Sequence, residues 1–292
     1  MPNVLGIPYP QTAPVDVRDG LRAHLHTNFP DIDPQLLERD IEAWQDLRRK
    51  CVSRAAPAGP SPLLRDYAAQ LDCAVRMLKN KAGTAFPWTP GFSNAPPMQC
   101  YESIDAERAY VLLWIAAEHA QSASCESRST SESLKRAANE FQMAAGCLAH
   151  MATLPLPAPL QDQVPCLRHL MLAQAQECFW QKAVQDGLRD TTIAKLAQGV
   201  STLYADSVAL APPSALPTDW LQHMECKRWH FAAAAMYRKS CDDLAQRRHA
   251  DELGRLMLAA SYVERARRAG TRAVATAVVD DVQSLYDIIH TN

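Results

Sequence analysis

The residues best equipped for chemistry are Glu118-His119, His150, the set His223, Cys226 and His230, and Cys178. Glu118 and His119 offer an acid and a base, but neighbours on a helix point about 100° apart and do not face one another. A helical hydrolase would need Glu118, His119 and His150 to converge from separate elements. His223 and His230 share a helix face with Cys226 in the order of a metal site. Seven residues span two turns, about 10 Å, too far for both rings to ligate one ion directly. Ordinary packed or surface histidines are the expectation, with no metal and no cofactor. Cys178, beside Phe179 and Trp180, reads as a small core residue rather than a nucleophile.

Glycine spacing removes the common nucleotide cradles. The nearest two glycines are Gly83 and Gly91, so no G-x-G-x-x-G, Walker A or G-x-S-x-G sequence exists. Thirty Lys+Arg against 32 Asp+Glu give a formal charge of −2, with no overall basic footprint for nucleic acid. The nine cysteines are odd in number and never closer than Cys166 and Cys178, which points to free thiols and a reducing compartment. No basic-then-apolar leader opens the chain, and the apolar run Val111 to Ala117 falls far short of the roughly 20 residues a membrane span needs. Arg265, Arg267, Arg268 and Arg272 form a basic cluster that acids such as Glu264 interrupt, so a solvated helix face is expected there, with at most peripheral membrane contact.

The elements that position these residues are helical. At 292 residues, with 48% hydrophobic side chains, the chain can bury a core without disulfides or metal. Apolar residues recur at three and four along most of it. Asp33-Pro34 predicts a helix start, continuing to about Arg54, and Ala55 to Pro62 cannot extend it. Helices follow over about 62–80, 105–122, 131–151, 165–186, 190–209, 218–247 and 250–269. Between them, Phe86-Pro-Trp88 and Met98-Gln-Cys-Tyr101 predict a small β-hairpin over 84–103. Small residues such as Ala137, Ala138, Ala144, Ala145 and Ala232 to Ala235 suit closely approaching helical hairpins. The expected fold is therefore mainly α: a curved, tetratricopeptide-like stack of helical hairpins with a small β element in its N-terminal third. The chain reads as one domain over 1–292. Its last segment, with Val274, Val278, Val282, Leu285 and Ile289 in register, is still amphipathic where the sequence stops, as if cut inside a helix.

The most informative stretch is Leu170-Met-Leu-Ala-Gln-Ala-Gln-Glu-Cys-Phe-Trp-Gln-Lys-Ala183, with Asp190-Thr-Thr-Ile-Ala-Lys-Leu-Ala197 after it. Phe179, Ile193, Leu196 and Val200 fall at helical spacing, a pattern that is core more often than groove.

That stretch resembles the signature of the BRO-domain family, of the ALIX and PalA type. Ser133 to Gly146, Tyr67 to Leu71, Lys227 to Tyr237 and the opening Asn3-Val-Leu-Gly-Ile-Pro8 resemble the same family in the same order. The resemblance implies a non-enzymatic adaptor that docks on endosomal ESCRT-III by gripping the short amphipathic C-terminal helix of a Snf-seven type subunit. By motif it places the partner-binding positions at Phe179, Thr192, Leu196 and Lys135, with Ile193, Leu134 and Asn139 beside them. Thr192 is polar where ALIX carries an aliphatic residue. PalA-like scaffolds imply ambient-pH signalling in fungi, with a calpain-like protease and a pH-responsive transcription factor as further partners. ALIX-like scaffolds imply cargo sorting in the multivesicular-body pathway instead. Either role implies a cytoplasmic protein recruited to endosomal membranes. The family's coiled-coil arm and proline-rich tail do not occur in these residues.

Overall fold

The computed structural model describes residues 3–31, 33–53, 59–92, 97–212, 215–270 and 274–291. The chain forms the expected stack of helical hairpins with a small sheet. Helices α1 (Arg18–Asn28), α2 (Pro34–Val52) and α3 (Pro62–Met77) lead into strands β2 (Lys81–Thr89) and β3 (Gln99–Ser103), which pair antiparallel. A strand earlier in the chain, β1 (Gln11–Thr12), pairs with the other edge of β2. The expected hairpin is thus the larger part of a three-stranded sheet, and its turn at 93–96 lies outside the described residues. Seven helices follow: α4 (Ile104–Cys125), α5 (Ser131–Met151), α6 (Ala158–Gln185), α7 (Asp190–Leu210), α8 (Thr218–Ala245), α9 (His249–Ala269) and α10 (Thr276–Thr291). From α3 to α10 each helix packs on the next, α3 on α4 included, although the sheet strands lie between those two in sequence.

Local chemistry sets the boundaries. Asp33 accepts from the Gln35 N–H at 3.0 Å, Ser61 from Leu63 at 3.2 Å and Ser103 from Ala106 at 3.3 Å, each starting a helix. Thr130 and Ser133 close a reciprocal cap on α5. Two expectations need correction. Helix α6 begins at Ala158, seven residues before Pro165, so that proline lies inside it. Leu160 and Val164, both fully buried, hold this turn in place. Burying two such side chains contributes about 3–6 kcal/mol, enough to offset the roughly 3 kcal/mol an interior proline costs. Helix α1 is absent from the expected helices, and its eleven residues bury Leu21 and Leu25.

A buried carboxylate joins the sheet to the helices. Glu107 on α4 accepts from Arg48 Nε on α2 at 2.9 Å, from the Tyr67 hydroxyl on α3 at 2.8 Å and from Trp88 Nε1 on β2. Arg48 also donates to the Ala13 carbonyl and Thr12 Oγ1, both at 3.2 Å, which pins β1. The N-terminal segment is strapped across the stack by side-chain amides. Gln174 on α6 donates to the Leu5 carbonyl and accepts from its N–H, while Gln121 on α4 donates to the Ile7 carbonyl. A Cβ at Gly6 would come within 2.9 Å of the Gln121 side chain, so a larger residue there would have to displace that amide.

Removing one member of a buried ion pair leaves the other charge without compensation. Arg48→Met is therefore expected to destabilise the fold by about 3–5 kcal/mol in urea unfolding. The double variant Arg48→Met/Glu107→Gln should recover a large part of that loss.

Candidate functional site

Short connections make successive helices antiparallel, and this brings the start of α5, the end of α6 and the start of α7 to one end of the stack. Helix periodicity then sets a strip of exposed and half-exposed side chains across these three helices, the candidate groove. From α5 come Lys135, Asn139 and Met143, spaced four apart on its solvent side. From α6 come Leu172, Gln176 and Phe179, and from α7 Thr192, Leu196 and Gly199. Phe179 is 38% exposed and Met143 47%, large apolar side chains that the fold leaves in water. Gly199 lies against Gln176 of α6, whose amide a Cβ there would meet at 3.4 Å, an ordinary contact distance. Lys135 stands on the rim, its Nζ 3.6 Å from Glu132 and both side chains exposed.

Beneath the groove lies a buried ion pair. Glu177, two residues before Phe179, accepts from Lys227 Nζ on α8 at 2.9 Å and from the Tyr204 hydroxyl on α7. All three side chains are sealed from solvent. Burial and the Glu177 charge push the Tyr204 hydroxyl far above its ordinary pKa, so it remains a donor. The interaction fixes the heights of α6, α7 and α8 relative to one another.

The expected site residues divide. Phe179, Thr192, Lys135 and Asn139 are exposed, and Leu196 is half-buried at the groove wall. Leu134 and Ile193 are core, at 1% and 3% exposure, and cannot touch a partner. Their correction has a simple cause: Leu134 packs on the inner side of α5 with Ala137 and Ala138, and Ile193 on the inner side of α7 with Ala197 and Val200. The apolar stripe of the sequence is therefore two faces, Ile193 and Val200 inward, Leu196 outward. Met143 was missed, although its place eight residues after Lys135 and four after Asn139 carries the signal.

The candidate acid–base set does not converge. Glu118 is buried and accepts from the Ser61 N–H at 2.7 Å, serving the start of α3. His119 pairs through Nδ1 with Glu140 at 2.7 Å, and His150 lies on the surface 3.2 Å from Arg108. Cys178 is buried and its thiol is pushed up to about 12 by burial, the opposite of an activated nucleophile. His223 and His230 are buried, and burial followed by the nearby Lys227 charge lowers both to about 3. Cys226 between them spends its Sγ–H on the Ala266 carbonyl. Of the basic cluster, Arg265 stacks on Trp229 and Arg267 on Tyr286, with Arg267 also paired to Glu264. Arg272 lies outside the described residues. No described helix is long and apolar enough to cross a membrane.

The family model described as BRO1-like domain matches residues 4–292, nearly the whole chain. The chain belongs to the BRO1-like domain family. Among curated relatives, the pH-response regulator protein palA/RIM20 of Emericella nidulans is 38% identical over 97% of this chain and 34% of its own length. The vacuolar-sorting protein BRO1 of Arabidopsis thaliana is 26% identical over 99% of this chain and 36% of its own. This BRO1-like chain thus spans about a third of the length of these relatives. A solved structure of the ALIX BRO1 CHMP4C complex superposes with a TM-score of 0.82 at 23% identity, covering 99% of this chain and 87% of that one. A structure of ALIX with a viral late-domain peptide gives 0.80 at 24% identity, over 99% and 44%.

The two buried histidines make the stability of this BRO1-like fold depend on pH. Unfolded, each takes up a proton near its ordinary 6.5, whereas folded it stays neutral down to about 3. Stability contributed above pH 6.5 is lost as pH falls from there toward 3, by up to about 1.4 kcal/mol per unit for each histidine. Urea unfolding between pH 7 and 4 should show this slope, and His230→Gln should remove about half of the part these two histidines contribute.

Proposed function

We propose that this chain is a non-enzymatic adaptor whose α5–α6–α7 groove grips the amphipathic C-terminal helix of an ESCRT-III subunit of the CHMP4C kind. The observation that carries the proposal is that three successive helices leave Phe179 and Met143 standing in water and Leu196 half-exposed. An amphipathic helix binds such a strip through anchors at i, i+3, i+4 and i+7. Support also comes from the family, one of whose solved members is the ALIX BRO1 CHMP4C complex. Three aliphatic anchors contribute about 4.5–9 kcal/mol gross. Association costs at least about 4 kcal/mol, which places the affinity near micromolar or weaker. Lys135 orients the helix and adds salt dependence.

The palA/RIM20 relatives favour ambient-pH signalling as the setting, with residues 1–292 acting as one docking domain of a scaffold that brings a calpain-like protease to a pH-responsive transcription factor. The resemblance to a vacuolar-sorting BRO1 protein favours a second reading, cargo sorting through the same groove. In both, the protein is cytoplasmic and reaches endosomal membranes through ESCRT-III.

Leu196→Asp and Phe179→Asp should each weaken binding of a fluorescent CHMP4C C-terminal helix peptide by about 30-fold or more, as loss of a central anchor does. Helical circular dichroism and melting should stay near wild type, because neither side chain is core. Unchanged affinity in a folded variant contradicts the proposal.

A further inference from the structure

The three N-terminal helices enclose a hollow of about 320 Å³ to which α5, α6 and α7 contribute no residue. Its floor is apolar and buried: Leu21 and Leu25 from α1, Ile41 and Trp44 from α2, Ala74 from α3 and Leu78 at the end of that helix. Trp44 spends its own Nε1–H on the Tyr67 hydroxyl at 3.3 Å, which fixes the ring in the floor. At the mouth, α2 presents Leu36 and Asp40, four residues apart, and α3 presents Gln70, Cys73 and Met77 at the three-and-four spacing of one helix face. Leu36 is 76% exposed and Met77 65%. Large apolar side chains standing in water around an apolar hollow mark a surface that another molecule covers.

The polar groups of the hollow say what that molecule carries. Gln70 lines it with its side-chain oxygen buried and without a hydrogen-bond partner. Asp40 lines it from the other wall, exposed, and among the described residues no cation lies within ion-pair distance of its carboxylate. Lys79 does not neutralise it, since that ammonium rests on the Phe29 ring, 5.7 Å from the centroid. The hollow therefore asks for a large apolar body tipped with a hydrogen-bond donor, and its rim asks for positive charge. An aliphatic anchor would fill the space and leave the Gln70 oxygen unpaired. Indole is the side chain that is large, apolar and donor only.

We propose that the hollow between α1, α2 and α3 is a second docking site, which takes the tryptophan side chain of a partner peptide with a basic residue beside it. The indole lies on the Ile41, Trp44 and Leu25 floor, its N–H donates to Gln70 Oε1, and the neighbouring lysine or arginine meets Asp40. A buried tryptophan with an adjacent cation is the kind of anchor that dominates small interfaces. The site shares no residue with the α5–α7 strip, so it does not rest on the function proposed for that strip.

The test titrates the protein, labelled at its methionine methyls, with the dipeptide N-acetyl-Trp-Arg-amide, and with N-acetyl-Leu-Arg-amide and N-acetyl-Trp-Glu-amide as controls. The expected result is a saturable shift of the Met77 methyl with the first dipeptide, at millimolar concentrations as suits a single anchor, with Met143 unmoved and both controls weaker. Asp40→Lys should weaken that binding by about five-fold or more. Gln70→Leu should weaken it by about three-fold while leaving the leucine dipeptide unaffected. Asp40 is exposed, so its reversal does not endanger the fold, and circular dichroism checks both variants. No saturable Met77 shift in folded wild type overturns the proposal. Equal shifts from all three dipeptides also overturn it, since the hollow would then be a greasy surface without choice, as does unchanged affinity in Asp40→Lys. A Met77 shift that appears on concentrating the protein alone would mean that a second copy of the chain covers the hollow, and it too overturns the proposal.

Discussion

The stack depends most on one buried ion pair, Glu177 with Lys227, completed by the Tyr204 hydroxyl. A carboxylate sealed from water is tolerable only when its lone pairs are filled, so α6, α7 and α8 can pack in one relative height and no other. Small residues along these helices allow close approach but specify no register, because alanine against alanine slides at little cost. The ion pair supplies the register. Phe179 follows Glu177 by two residues, so the polar lock inside the stack also sets where the apolar anchor stands outside it.

A second lock does the same at the other end. Glu107 gathers Arg48, Tyr67 and Trp88, and through Arg48 it holds the short first strand. The segment between the locks is bridged by Gln121 and Gln174, whose amides satisfy the extended N-terminal strap. The result is a groove assembled from rigid helices rather than loops. Walls of that kind need little reorganisation, which is what the proposed docking of a short helix on a shallow apolar strip requires.

Caps made α2 and α5 readable to within a few residues, and turn residues between long apolar-rich stretches did the same for α7, α8 and α9. These signals failed where tertiary contacts decide. Helix α1 has two buried leucines and no cap bond, β1 is two residues whose only reason to be extended is a partner seventy-six positions away, and the turn before Pro165 is held by what Leu160 and Val164 bury. For the site, periodicity put Ile193, Leu196 and Val200 on α7 but could not say which side would meet water. The resemblance named Phe179, Thr192 and Lys135, and Met143 escaped because a lone methionine among alanines reads as core.

The most direct test of the account follows the methionine methyls. With the protein labelled at Met methyl groups and titrated with the CHMP4C C-terminal helix peptide, the Met143 resonance in the groove should shift saturably. Met77, which is 65% exposed on α3 beside a separate apolar hollow between α1, α2 and α3, should not move. A saturable shift of Met77 with Met143 unmoved would place the partner on the other end of the molecule and contradict the account.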